Sequence, residues 1–141
     1  KSLAVAALTS YFDRAIAMYD EILEQDTPYK EKLEQIINFK YTQITAVVAP
    51  LFSSLALEDE TFKEVIREAA YVKAVPVYIR FIELGKAEGA IPAEITNETI
   101  MAFIFQVMPL LEQKEYLQSS GEHQKGMLNL ILYGIIGHPQ P

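Results

Sequence analysis

Apolar residues recur along this chain at steps of three and four, the spacing that lines one face of an α-helix. The first segment carries Leu3, Ala7, Leu8, Tyr11, Ala15, Ile16, Tyr19, Ile22 and Leu23 in that register. It predicts one long helix ending at Asp26-Thr27-Pro28, with Pro28 suited to the first turn of the next helix. The helix starts abruptly at Lys1 with no capping residue ahead of it, so its native start is expected upstream. A second helix carries Leu33, Ile36, Ile37, Ile44, Val47 and Val48. Pro50 lacks an N–H and should break it, leaving a short separate piece from Pro50 to Leu57.

Asp59 is suited to cap a third long helix, with Glu60 and Glu64 near its positive end. Its stripe reads Phe62, Val65, Ile66, Ala69, Val72, Pro76, Ile79 and Ile82, and a second row of Tyr71, Val75, Tyr78 and Phe81 predicts burial on more than one side. Pro76 should bend this helix, Gly85 and Gly89 supply stops, and Ile91-Pro92 marks the exit. Thr96 caps a fourth helix striped by Ile100, Phe103, Ile104, Val107, Met108 and Leu111, with a kink at Pro109. A loop through Ser119-Ser120-Gly121 leads to a last helix that ends at Gly137-His138-Pro139. No β alternation and no internal repeat occur, so the chain reads as one all-α domain over residues 1–141.

Half of the 141 residues are apolar, enough for a packed core. The net charge of −7 and a pI of about 4.8 argue against a grip on nucleic acid, whose phosphates are met by Lys and Arg. There is no cysteine and no signal-peptide pattern, which favours the cytoplasm. The longest apolar stretch, Met127 to Ile136, rises only about 1.5 Å per residue and falls well short of a bilayer core of about 30 Å. No membrane partner is therefore expected.

Chemistry is sparse. His123 and His138 are expected in a loop and a tail, no metal-ligand spacing occurs, and no phosphate-binding loop is present. Glu21, Glu24, Glu31 and Glu34 have the pattern of solvated helix faces. The expectation is a non-enzyme without metal or cofactor. Two other classes stay open: a helical interaction module that uses its final apolar segment, and a small helical enzyme with a site built from distant residues.

Three segments together carry a resemblance. Lys1-Ser2-Leu3 opening a long helix, the run from Phe81 through Gly85 and Gly89 to Ile91, and the closing Leu130-Ile131-Leu132-Tyr133-Gly134-Ile135-Ile136-Gly137 resemble the effector-binding half of the tetracycline-repressor (TetR) family of transcription regulators. The order and lengths of the elements match over nearly the whole chain. The resemblance implies a helical bundle in which residues 1–25 form the helix that connects to an N-terminal helix-turn-helix head. That head has no counterpart in these residues, so operator DNA would be reached only through a longer parent protein.

The last helix is apolar nearly all round and must be covered on two sides, either inside a monomeric bundle or by a partner. In the resembled family the last two helices pair with their two-fold mates in a four-helix interface. This implies a homodimer, with Ile100, Ile104, Met108, Leu128, Ile131, Leu132 and Ile135 as candidate contacts. Asn38, Tyr41, Thr45, Val48 and Phe52 share one face of the second helix, a mixture of polar and apolar groups suited to a ligand cavity. The resemblance extends the candidate ligand set to Asn38, Tyr41, Thr45, Tyr71, Tyr78, Met101, Phe105 and Met108. No fixed charge stands clearly on these faces, which favours a small apolar or aromatic effector. Its binding would bias the first helix and so the spacing of two heads on operator half-sites.

Overall fold

In a computed structural model of the chain, residues 2–43, 46 and 60–136 are described, and every element among them is helical. α1 spans Ser2–Glu24 and α2 spans Tyr29–Gln43. α3, Glu60–Glu68, runs into a π-helical turn at Ala69–Lys73 and then into α4, Val75–Ala87. α5, Asn97–Val107, tightens into a 3-10 turn at Met108–Glu112, and α6, Lys114–Leu117, precedes α7, Gly121–Ile136. The expected break at Pro50, the piece to Leu57, the Asp59 cap, Thr45 and His138 lie outside the described residues.

The helix ends follow their local chemistry. The Pro28 carbonyl accepts from Glu31 N (3.0 Å) and Lys32 N (3.2 Å), which opens α2 where a missing proline N–H costs nothing. Tyr29 N donates to Glu88 Oε1 (3.1 Å), so a carboxylate at the far end of α4 satisfies one of the unpaired amides of α2. Thr96 Oγ1 accepts from Thr99 N (3.1 Å) and caps α5 as expected.

Gly89, not Gly85, stops α4. Gly89 takes a φ of 77°, Ala90 N donates to Gly85 O (2.8 Å) and Gly89 N donates to Lys86 O (3.1 Å), the paired bonds of a Schellman ending. Gly85 lies inside the helix for a packing reason. A Cβ there would stand 2.5 Å from Ile91 Cδ1 and 2.9 Å from Tyr29 Cζ, both on buried residues. His123 also departs from expectation, lying in the first turn of α7 rather than in a loop.

The expected bend at Pro76 takes the form of the π turn. Pro76 has no N–H for the Val72 carbonyl four residues back, and Ala74 N instead reaches Ala69 O, five residues back (3.1 Å). One extra residue in the turn rotates everything downstream by about 100°. The inward face therefore moves from Ala69 to Ala74, Val77, Phe81, Ile82 and Gly85. Val72 (62% exposed), Pro76 and Ile79 (37% exposed) face outwards, which corrects the straight stripe read from the sequence.

Leu33, Ile82 and Ile91 are the fully buried centre, surrounded by Leu23, Phe81, Ile100 and Leu128 from four helices. Two ion-pair groups align α1 with the π turn and α4: Lys73 with Asp13 (3.2 Å), and Arg80 with Asp20 (3.1 Å) and Glu24 (3.4 Å). All are partly solvated and contribute about 0–1 kcal/mol each, so they set orientation more than stability.

Buried phenols give the fold a pH limit. Tyr29 donates to Phe81 O (3.0 Å) and Tyr116 donates to Gln124 O (2.9 Å). Burial pushes Tyr116 up to about 12, and burial followed by the Glu88 carboxylate raises Tyr29 further. A phenol raised in the fold contributes stability in full below its unfolded value of about 10 and loses it as pH climbs through the folded value. Chemical denaturation at about pH 8 and about pH 11 should show markedly lower stability at the higher value, with ultraviolet tyrosinate absorbance lagging behind that of free tyrosine. Equal stability at the two values would mean that these hydroxyls ionise freely in the folded chain.

Candidate functional site

Small residues on the inward faces open a cavity in the middle of the bundle. Ala15 on α1, Ala69 in the π turn and Ala74 just beyond it all line a space of about 190 Å³. The extra residue of the π turn brings Ala69 and Ala74 onto the same wall, five positions apart. Phe12, Ile16, Tyr19 and Leu23 continue the wall along α1. Val77, Tyr78 and Phe81 continue it along α4, and Ile104 and Val107 of α5 lead into Met108 and Leu111. Leu128, Ile131, Leu132 and Ile135 of α7 close one side, and Ile36, Lys40 and Gln43 of α2 another.

Only four of these wall residues carry a side-chain nitrogen or oxygen: Tyr19, Lys40, Gln43 and Tyr78. Tyr19 donates to Gln43 Oε1 (2.6 Å), an inter-helix bond between α1 and α2. Burial holds the Tyr19 phenol well above its ordinary range, with the nearby phenols of Tyr78 and Tyr11 adding to the effect. Tyr11 is raised by burial as well, and its hydrogen bond with the Gln43 side chain draws it part of the way back. Gln43, itself buried, thus ties two tyrosines of α1 to α2. Lys40 Nζ sits 5.9 Å from the centre of the Tyr19 ring, near the same polar end. Tyr78 donates to Met108 Sδ (3.1 Å), joining α4 to the 3-10 turn. The described wall holds no carboxylate, histidine, serine or threonine, and no group of three metal-ligating residues occurs among the described residues.

Of the eight residues expected to bind a ligand, the structure brings Tyr78 and Met108 to the cavity. Asn38 is exposed and is not among the described residues that line the cavity. Tyr41 turns towards α7, where Lys125 Nζ lies 4.9 Å from its ring centre and its hydroxyl fills the space beside Gly121. Tyr71 and Phe105 pack on each other (ring centres 5.5 Å apart), and Phe105 also meets Tyr78 (6.4 Å), so these two rings stand behind Tyr78, which lines the wall. Met101 packs partly buried against the core. On α2 the register decides which residues reach the cavity. Leu33, Ile36, Ile37, Lys40 and Gln43 form the inward stripe, and the Asn38–Tyr41 face lies to one side of it.

The seven residues expected at a dimer interface also face inwards within the single chain. Ile100, Ile104, Leu128 and Ile135 are buried, and Met108, Ile131 and Leu132 are cavity wall. What α7 shows outwards is a different face, with Leu130 (72% exposed), Tyr133, Gly126 and Gly134. Sequence reasoning also missed Lys40 and Gln43. Their signal was present: two long polar side chains interrupt an apolar stripe at its own three- and four-residue spacing.

No helix among the described residues is long and apolar enough to cross a membrane. Compared with known proteins, the chain matches no family model, no curated protein and no solved structure.

Proposed function

We propose that this chain is a sensor: the effector-binding and dimerisation domain of a TetR-like transcription regulator, with no catalytic role of its own. The observation that carries the reading is the cavity of about 190 Å³, apolar except at one end and walled by five residues of α1. Apolar cavities of this scale hold small apolar molecules, and a few placed polar groups orient them. The described wall residues include no serine, threonine, cysteine, histidine or carboxylate, which favours binding over catalysis. Because Phe12, Ala15, Ile16, Tyr19 and Leu23 would touch the effector, its binding would bias α1, the helix that leads towards a DNA-reading head preceding Lys1. Couplings of this kind are typically about 1–3 kcal/mol.

The test is ligand-linked stability. Single-ring aromatics and short aliphatic compounds at about 100 times their dissociation constant should add about 2.7 kcal/mol and raise the melting midpoint by several degrees. A panel of such compounds with no effect on the midpoint would overturn the sensor reading.

The homodimer is part of the same proposal, but its contacts are reassigned to the outward face of α7. Leu130 lies between Gly126 and Gly134 at helical spacing, and a Cβ added at either glycine would meet nothing within 4 Å. A helix mate could approach closely along this face, with Tyr133 beside it. Leu130→Glu should convert a dimer into a 15.9 kDa species in light scattering while leaving the helical content unchanged. A variant that remains dimeric would place the interface elsewhere.

A further inference from the structure

We propose that Gln43 sets the specificity of the cavity by closing its polar end against the Tyr19 hydroxyl. The space then selects a single-ring or short-chain hydrocarbon over analogues of the same shape that carry a hydroxyl or a carbonyl. The inference rests on the reading of the cavity as a ligand site and goes beyond it by naming the residue that turns polar ligands away. Size comes first. An engineered cavity of about 150 Å³ is known to take benzene, so a space of about 190 Å³ accommodates one ring with a short substituent or a chain of similar bulk.

Polarity comes from how the wall is bonded. Its side-chain nitrogens and oxygens belong to Tyr19, Lys40, Gln43 and Tyr78, and each of these residues has a partner within the chain. Tyr19 donates to Gln43 Oε1 (2.6 Å), and the Gln43 side chain also bonds Tyr11. Lys40 Nζ lies 5.9 Å from the centre of the Tyr19 ring and is engaged elsewhere in the chain as well. Tyr78 donates to Met108 Sδ (3.1 Å). Gln43 is the centre of this network, a buried amide that joins two phenols of α1 to α2. A ligand hydroxyl or carbonyl brought to this end either goes unbonded in an apolar setting or displaces a bond that the fold already makes. Both are unfavourable beside a hydrocarbon of the same shape. The hydrocarbon leaves the network intact and buries its surface against Ala15, Leu128 and Ile131. Specificity of this kind comes from what the wrong ligand would leave unpaired. It narrows the expectation of an apolar or aromatic effector to one whose ring or chain carries no hydrogen-bonding group.

Titration calorimetry with cumene, 1-phenylethanol and acetophenone, which share one size and shape, isolates the polar contribution. In the unsubstituted chain cumene should bind about tenfold or more tightly than either of the others. Gln43→Ala releases the Tyr19 hydroxyl, and acetophenone, whose carbonyl can accept from it, should gain about tenfold relative to cumene. Adding Tyr19→Phe should cancel that gain, because the donor is gone. Circular dichroism melts establish that the variants are folded, and the order of the compounds on the unsubstituted chain decides the matter even where a variant is not. Equal affinities for the three compounds, or a Gln43→Ala variant with unchanged preference, would overturn the role of Gln43 while leaving a ligand cavity in place. A gain that persists without the Tyr19 hydroxyl would overturn it too. Cumene binding that survives Ala15→Leu would put the site outside the cavity and overturn the proposal. Absence of binding by all of these compounds would overturn the cavity reading itself.

Discussion

Ile82→Ala should lower the melting midpoint by roughly 10 °C, and Ile79→Ala by no more than a few degrees. The two isoleucines stand three residues apart on the stripe read from the sequence and would be equivalent in an uninterrupted helix. In the structure Ile82 is 0% exposed, while Ile79 is 37% exposed. Truncating a buried isoleucine to alanine costs about 2–5 kcal/mol, because transfer energy is lost and a void remains. Truncating the exposed one removes little buried surface and puts a better helix former on the solvent side. For a domain somewhat under 150 residues, each kcal/mol is worth about 3–5 °C, so the contrast is readily measured. Comparable losses at both positions would mean that the inward face runs straight past Pro76 without the rotation supplied by the π turn.

The pair of isoleucines also marks where the sequence was legible. Local chemistry with a single partner could be read directly: Pro28 opening α2, Thr96 capping α5 through Thr99 N, and the left-handed Gly89 ending α4. Helical periodicity gave the all-α class and the inward stripe of α1 from Leu8 to Leu23. Phase was lost wherever regular winding was interrupted, because a three-and-four pattern carries no record of an inserted π residue. The cavity was hidden for a related reason. It is lined by Ala15 on α1 and by Ala69 and Ala74 on either side of the π turn, and small residues look like ordinary stripe members until the π turn brings the last two onto one wall. On α2 the sequence pattern points to the mixed face of Asn38 and Tyr41. The side chains that reach the cavity are Lys40 and Gln43, whose long apolar stems allow a polar group to sit on a core face. The dimer contacts expected on α7 coincide with its inward face. Ile135 is buried and Ile131 and Leu132 are partly buried within the chain, whereas Leu130 and Tyr133 are the large apolar side chains that α7 exposes among the described residues.

Ala15→Leu should abolish ligand binding without destabilising the fold. Ala15 is buried in the wall contributed by α1, between Phe12, Ile16 and Tyr19. In a tightly packed core, three additional carbons force neighbouring side chains off their preferred rotamers and cost about 1–3 kcal/mol. Beside an open space of about 190 Å³ the same carbons have room and should bury apolar surface worth about 0.8 kcal/mol per methylene. Allowing for some lost rotamer freedom, the unliganded midpoint should stay level or rise by several degrees. The ligand-induced rise seen with the unsubstituted chain should vanish, because the added side chain occupies the ligand's volume. These two readouts move independently and divide the alternatives. A fall in stability with no ligand effect to lose would show that the faces of α1, α4 and α7 close on each other and that no cavity exists in solution. Unchanged stability with undiminished ligand response would place the binding site elsewhere on the bundle. A level or raised midpoint with the ligand response gone is the outcome that the geometry of Ala15, Ala69 and Ala74 requires.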